Sequence, residues 1–210
     1  AKGRSSLTSA RVVAKIVTAT TSITGITTPG DIACFRALSI RIPILFFGGE
    51  RSEEFSWRLK GESYMSIMER GGGIASTVKA TRQMNFLKLR SAAEGFLKKM
   101  SAMGVTTVEG KSGYGLDRET ELLQLKIMRS LNNDEHKRID IVSTFLGAHA
   151  LPEEYKGRGD EYIDFLIREM LPVIRENELA ECCDVFCEQG VFLSNNPVAC
   201  FRQPRSTVSY

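Results

Sequence analysis

A strand that ends in a glycine-spaced polar tip occurs twice in this chain, and that repetition restricts the fold more than any other feature. Val105-Thr106-Thr107-Val108 is β-branched and runs into Glu109-Gly110-Lys111-Ser112-Gly113-Tyr114-Gly115-Leu116. Ile141-Val142-Ser143-Thr144-Phe145-Leu146 runs into Gly147-Ala148-His149-Ala150-Leu151-Pro152. Glycine lets a backbone pass close to a bound group, and polar side chains between the glycines then face that space. Two strands that deliver Tyr114 and His149 at corresponding ends point to one shared site.

Around these tips strand and helix alternate. Ile44-Leu45-Phe46-Phe47 reads as a first buried strand, ended by Gly48-Gly49. A short helix is predicted from Ser63 to Arg70, stopped by Gly71-Gly72-Gly73, and another from Ala75 to Gln83. Phe86, Leu89, Ala93, Phe96, Leu97 and Met100 fall on one helical face, and Gly104 closes that helix. Asp117 suits an N-cap, with Glu119 and Glu121 placed to complement the helix dipole. Leu122, Leu125, Met128 and Leu131 form the buried stripe that follows. Asp160 to about Glu176 predicts a helix with Tyr162, Phe165, Leu166, Met170 and Val173 inward, and Cys182 to Cys187 the next strand.

Each link is long enough for a right-handed crossover, so the strands are predicted to be parallel neighbours. No Gly-x-Gly-x-x-Gly follows the first strand, which counts against a dinucleotide fold. The expected class is therefore α/β: part of a TIM-type β/α barrel, about four β/α units, with its site at the carboxyl ends of the strands. Arg51, Tyr114, His149 and Glu188 all lie just past such ends. Residues 1–40 are Ser/Thr-rich and read as a small β element or a disordered leader. Residues 41–192 form the barrel domain, and 193–210 a loose tail.

Composition removes several function classes. The net charge is +3 over 210 residues, with no Lys/Arg cluster interleaved with aromatics, so no nucleic-acid partner is expected. No apolar run approaches the roughly 18 residues needed to span a bilayer, so no membrane partner is expected either. The opening Ala1-Lys2-Gly3-Arg4 lacks the apolar core of a signal peptide, and a cytoplasmic location is expected. The 5 cysteines, an odd number without framework spacing, read as buried thiols in a reducing compartment. Cys182 and Cys183 are adjacent on a predicted strand and point to opposite faces, which suits a shared metal poorly.

Five stretches resemble one known family. They are Phe47-Gly48-Gly49-Glu50-Arg51-Ser52-Glu53-Glu54-Phe55, Arg70-Gly71-Gly72-Gly73-Ile74-Ala75-Ser76-Thr77-Val78, Lys111-Ser112-Gly113-Tyr114-Gly115-Leu116, Gly147-Ala148-His149-Ala150-Leu151-Pro152 and Asp184-Val185-Phe186-Cys187-Glu188. In order and spacing they resemble imidazolonepropionase, an amidohydrolase of histidine degradation, over about Leu45 to Phe192. The resemblance implies a zinc- or iron-dependent hydrolase that opens 4-imidazolone-5-propanoate to N-formimidoyl-L-glutamate. It implies a β/α barrel beside a small β-sandwich, a small-molecule substrate as partner, and a homodimer for the full-length family member.

By that resemblance Arg51 pairs with the substrate propionate, Tyr114 hydrogen-bonds the same end, Tyr64 lines the pocket, and His149 faces the ring. A bidentate guanidinium suits a carboxylate. Read without the family, Arg51 belongs to a charged run on a solvated face, Tyr114 to a turn and His149 to structure. Glu109 and Glu188 are candidate acids that also suit simple ion pairing, and His136 reads as surface. The family's first two metal ligands, a His-x-His, fall here on Ile42 and Ile44, which bind no cation. Its remaining ligands match nothing in this sequence. The chain alone is therefore expected to lack the metal and the turnover. Two other readings stay open: a non-catalytic binder of a small carboxylate, and a partial product without function.

Overall fold

A computed structural model describes residues 45–63, 66–67 and 70–186, together with the backbone of 38–41. The elements are β1 (Leu38–Arg41), α1 (Ser52–Leu59), α2 (Ile74–Arg82), α3 (Phe86–Ala102), β2 (Val105–Lys111), α4 (Arg118–Asn132) and β3 (Asp140–Ala148). Then come α5 (Gly159–Phe165), a π-helical turn (Leu166–Met170), α6 (Leu171–Glu176) and β4 (Cys182–Val185). The strands form one sheet in chain order, and all three neighbouring pairs are parallel. The mixed helix and parallel-strand architecture is thus the expected α/β class.

The first strand departs from expectation. Leu45 and Phe46 are buried, but they lie in an irregular segment, and the strand that pairs with β2 is Leu38–Arg41. An apolar run records burial and does not by itself record extension. Side chains, rather than a ladder, satisfy this backbone. The Gln124 amide donates to the Phe46 carbonyl, and Gly48 N–H donates to Thr81 Oγ1 at 2.9 Å. Of the helix predicted over Ser63 to Arg70, Ser66 and Ile67 are helical, while Tyr64 lies outside the described residues.

α1 was not expected from the sequence; the remaining elements follow their sequence signals. Asp117 caps α4, accepting the Thr120 N–H at 2.7 Å. Leu122, Leu125, Met128 and Leu131 are all buried beneath that helix. β2 runs to Lys111, so Glu109 and Lys111 belong to the strand and not to its tip. The long helix predicted from Asp160 carries the π turn just before Pro172. Proline has no N–H to give the Arg168 carbonyl and crowds it, so the helix widens there.

The sheet has two unlike faces. Val108, Ile141 and Phe145 join the core with Leu125 and Met128 of α4. Alternate residues form the other face. There Lys111 Nζ donates to Asp184 at 2.6 Å and sits 3.7 Å from Glu109, and Thr144 donates to Glu109 at 2.8 Å. Strand alternation puts these groups together, and their pairing makes this face polar rather than apolar.

Candidate functional site

Arg51 stands at the start of α1, whose first turn holds Glu53 and Glu54. Its Nε and Nη2 donate to one oxygen of Glu54, at 2.9 and 2.7 Å. The second oxygen of Glu54 accepts the Gly73 N–H at 3.0 Å, tying α1 to the start of α2. A Cβ at Gly72 would meet Ile67 at 2.8 Å, so the backbone packs there only as glycine. Burial works against the Glu54 charge. The hydrogen bonds from Arg51 and Gly73 and the Arg51 and Arg58 charges outweigh it, and the carboxyl lies below its ordinary range. Arg51 keeps 39% of its side-chain surface exposed while Glu54 keeps 11%, so the cation is presented and the anion is its support.

Tyr114 sits on the loop after β2. Here the structure holds something the sequence rules misassigned. Glu121, expected to complement a helix dipole, is buried and turns its carboxyl back into the loop. It accepts the N–H of Gly113 on both oxygens at 3.1 Å, of Gly115 at 2.8 Å and of Leu116 at 2.9 Å. Burial pushes this carboxyl above its ordinary range, against the pull of Ser112 and the three amides. Leu116 is held at φ +55°, a left-handed conformation disfavoured for a branched apolar residue. Arg82 clamps the loop from outside, donating to the Gly115 carbonyl at 2.8 Å and pairing with Asp117 at 2.7 Å and with Glu154.

His149 follows β3, which Tyr162 secures by donating its hydroxyl to the Gly147 carbonyl at 2.9 Å. The Nδ1 of His149 lies 2.7 Å from the Gly113 carbonyl oxygen. A carbonyl only accepts, so Nδ1 carries the proton and neutral His149 presents a bare Nε2. Burial and the nearby Lys111 charge lower its pKa, against the Gly113 bond and Asp184, which raise it. Neutral imidazole is the resting form. Its ring centroid lies 5.3 Å from that of Tyr114 and 5.9 Å from that of Phe186.

These parts meet. An open cleft of about 590 Å³ is lined by Phe47, Gly49, Glu50, Arg51, Thr77, Phe96 and Tyr114. Arg51 and Tyr114 therefore share one space, and His149 adjoins it through the Tyr114 ring. Phe96, predicted to face the core, is 39% exposed and stacks on Phe47 at 6.2 Å. Thr77 is buried, and its hydroxyl has no hydrogen-bond partner among the described residues. The sequence singles out neither Thr77 nor Glu121 for the site: Thr77 stands only within a family-like stretch, and Glu121 is assigned to the helix dipole. Tyr64, Ile42, Ile44 and Glu188 lie outside the described residues.

The donor set does not fit a catalytic metal. Among the described residues no group of three or more His, Cys, Asp or Glu side chains is placed to hold an ion. His136 is exposed, and His149 has committed one ring nitrogen to Gly113. Cys182 and Cys183 occupy successive positions of β4. No described helix is long and apolar enough to cross a membrane.

No protein-family model matches the chain. Curated relatives do. The imidazolonepropionase of Bacteroides fragilis is 80% identical over 146 residues, covering 70% of this chain and 35% of that protein. The imidazolonepropionase of Phocaeicola vulgatus is 68% identical over 148 residues, 70% of this chain and 36% of its own length. That of Streptococcus pyogenes is 49% identical over 170 residues, 81% of this chain and 38% of its own. The chain spans about a third of the length of the relatives it matches. Over that stretch it is homologous to the imidazolonepropionases, and partial with respect to them.

Proposed function

We propose that this chain carries the substrate-anchoring part of an imidazolonepropionase-type site, within a partial TIM-type barrel of about four β/α units. The reaction served is the hydrolytic opening of 4-imidazolone-5-propanoate to N-formimidoyl-L-glutamate in histidine degradation. Arg51 binds the propionate carboxylate, and the Tyr114 hydroxyl donates to the same group. Phe47 and Phe96 give the methylene chain an apolar wall. His149 offers its bare Nε2 to an N–H of the ring. By the family resemblance alone, Tyr64 is assigned to the same pocket. The observation that carries this reading is the single cleft shared by Arg51 and Tyr114.

Water activation is a separate matter. The family resemblance implies zinc or iron, and the described residues do not fit such an ion. No hydrolytic step is therefore assigned to this chain. That favours a second reading in which the chain binds small carboxylates without turning them over.

Titration calorimetry with N-formimidoyl-L-glutamate tests the anchoring. A charged hydrogen-bond pair contributes about 1.5 to 3 kcal/mol, so Arg51→Ala should weaken binding by roughly 10- to 100-fold. Binding that is absent, or indifferent to Arg51, removes the proposal. Turnover of imidazolone propionate by the chain with added zinc or iron removes the non-catalytic reading.

A further inference from the structure

We propose that Glu121 is a positioning residue of the site: by gathering the backbone N–H groups of Gly113, Gly115 and Leu116 it fixes both the loop that carries Tyr114 and the carbonyl that sets the tautomer of His149.

The geometry begins with the loop. Backbone amides that converge in a tight turn form a concave anion site, elsewhere filled by phosphate or another bound anion. Here the chain fills it from inside, with the side chain of Glu121 in the first turn of α4. The close fit permits only glycine at two positions. A Cβ at Gly115 would lie 2.6 Å from the Glu121 nitrogen, and one at Gly113 would lie 2.8 Å from the Leu146 carbonyl oxygen and 3.2 Å from His149.

Gly113 is the link. Its N–H points to Glu121 and its C=O accepts from His149 Nδ1 at 2.7 Å. The peptides flanking this one residue therefore join a buried carboxyl to the imidazole that packs against Tyr114 beside the cleft. Ser112 supports the same link, since its hydroxyl oxygen accepts the Leu146 N–H at 3.0 Å and holds β3 beside the loop. If Glu121 releases the loop, the Gly113 carbonyl turns away. His149 is then free to place its proton on Nε2, the nitrogen otherwise offered to a ligand.

The consequence for ligand binding rests on the anchoring reading given above. The positioning role itself needs no ligand, so the two can fail separately. The test is nitrogen-15 NMR of the imidazole of His149 in the full chain. The unmodified protein should show the Nδ1–H tautomer alone. Glu121→Met keeps the length and removes the acceptor, and it should give a mixture rich in Nε2–H. Glu121→Gln keeps one oxygen where the Gly115 and Leu116 amides meet, and it should restore most of the Nδ1–H form. Leu125→Ala loosens the same helix from the core and should leave the tautomer unchanged.

A folded Glu121→Met variant that retains pure Nδ1–H overturns the proposal, as does a Leu125→Ala variant that shifts the tautomer equally. If the methionine variant does not fold, the unmodified chain decides. Through-bond couplings should connect the Gly115 and Leu116 amide nitrogens to the Glu121 carboxyl carbon, and their absence also overturns it.

Discussion

The two walls of the cleft are anchored by opposite means. On one wall Arg51 projects from the start of α1 and is steadied by Glu54, through an ion pair whose cation is well exposed. On the other, Tyr114 rides a loop whose backbone is bound from within by a fully buried carboxyl and from outside by Arg82. An exposed pair is screened by water and contributes little, whereas a buried group that loses its partners leaves them unsatisfied. Under the proposed reading the difference suits two tasks. The Arg51 cation can meet a flexible carboxylate with some freedom. The loop that carries Tyr114 also sets His149, which must meet the ring at a fixed angle.

Removing each anchor is the strongest way to break this contrast. Glu121→Ala strands three buried amide donors, and should lower stability by about 3 to 5 kcal/mol. Glu54→Ala gives up one amide bond and a partly exposed ion pair, and should lower it by about 1 to 2 kcal/mol. Urea denaturation of both variants supplies the comparison. Equal losses would mean that the walls are alike, and the distinction drawn here would fall.

The sequence disclosed one wall better than the other. The N-cap of Asp117 followed directly from local rules, whereas Arg51 and Glu54 read only as a charged run and the helix that begins at Ser52 was not expected. The strand tips bearing Tyr114 and His149 were legible as glycine-spaced breaks after β-branched runs. Glu121 was not, because a carboxylate in a first helical turn already has a sufficient local explanation in the helix dipole. Its true partners depend on φ +112° at Gly113 and +55° at Leu116, values that no pattern of residue types encodes. Phe46 misled for a related reason. Its burial was readable, but not that Gln124, 78 residues later, would take the place of a neighbouring strand. Phe96 obeyed the helical period and still left the core, and it stacks on Phe47.

A smaller effect sharpens the contrast at the floor of the cleft. The Thr77 hydroxyl is buried without a partner among the described residues, a condition that costs stability unless something binds it. Thr77→Val keeps the shape and removes the orphan, and should raise stability by about 1 kcal/mol in a thermal melt. The same change should weaken N-formimidoyl-L-glutamate several-fold if the hydroxyl meets the ligand carboxylate. Opposite signs in the two measurements mark a group reserved for a ligand. A fall in both would mark Thr77 as ordinary packing.

The faintest effect is the pH dependence of the His149 wall. Burial and Lys111 hold this imidazole below its ordinary value of 6.5, so the unfolded chain binds a proton more readily than the folded one. Stability is therefore full above about 6.5 and declines as the pH falls through that value toward the lower folded pKa. Glu54, whose carboxyl is depressed, loses its contribution only further down, as pH drops below its ordinary 4.5 toward its folded value. Glu121 acts the other way. Its raised carboxyl makes it most stabilising below 4.5, and that contribution is lost as pH rises through the folded value. A difference measurement isolates the His149 contribution. Denaturation midpoints of the unmodified chain and of His149→Gln, followed from pH 8 down to pH 5 (a range chosen about the ordinary histidine value), should converge as acid removes the advantage of the neutral imidazole. Parallel curves would show that His149 titrates alike in both states, and that the Tyr114 wall is as open to water as the Arg51 wall.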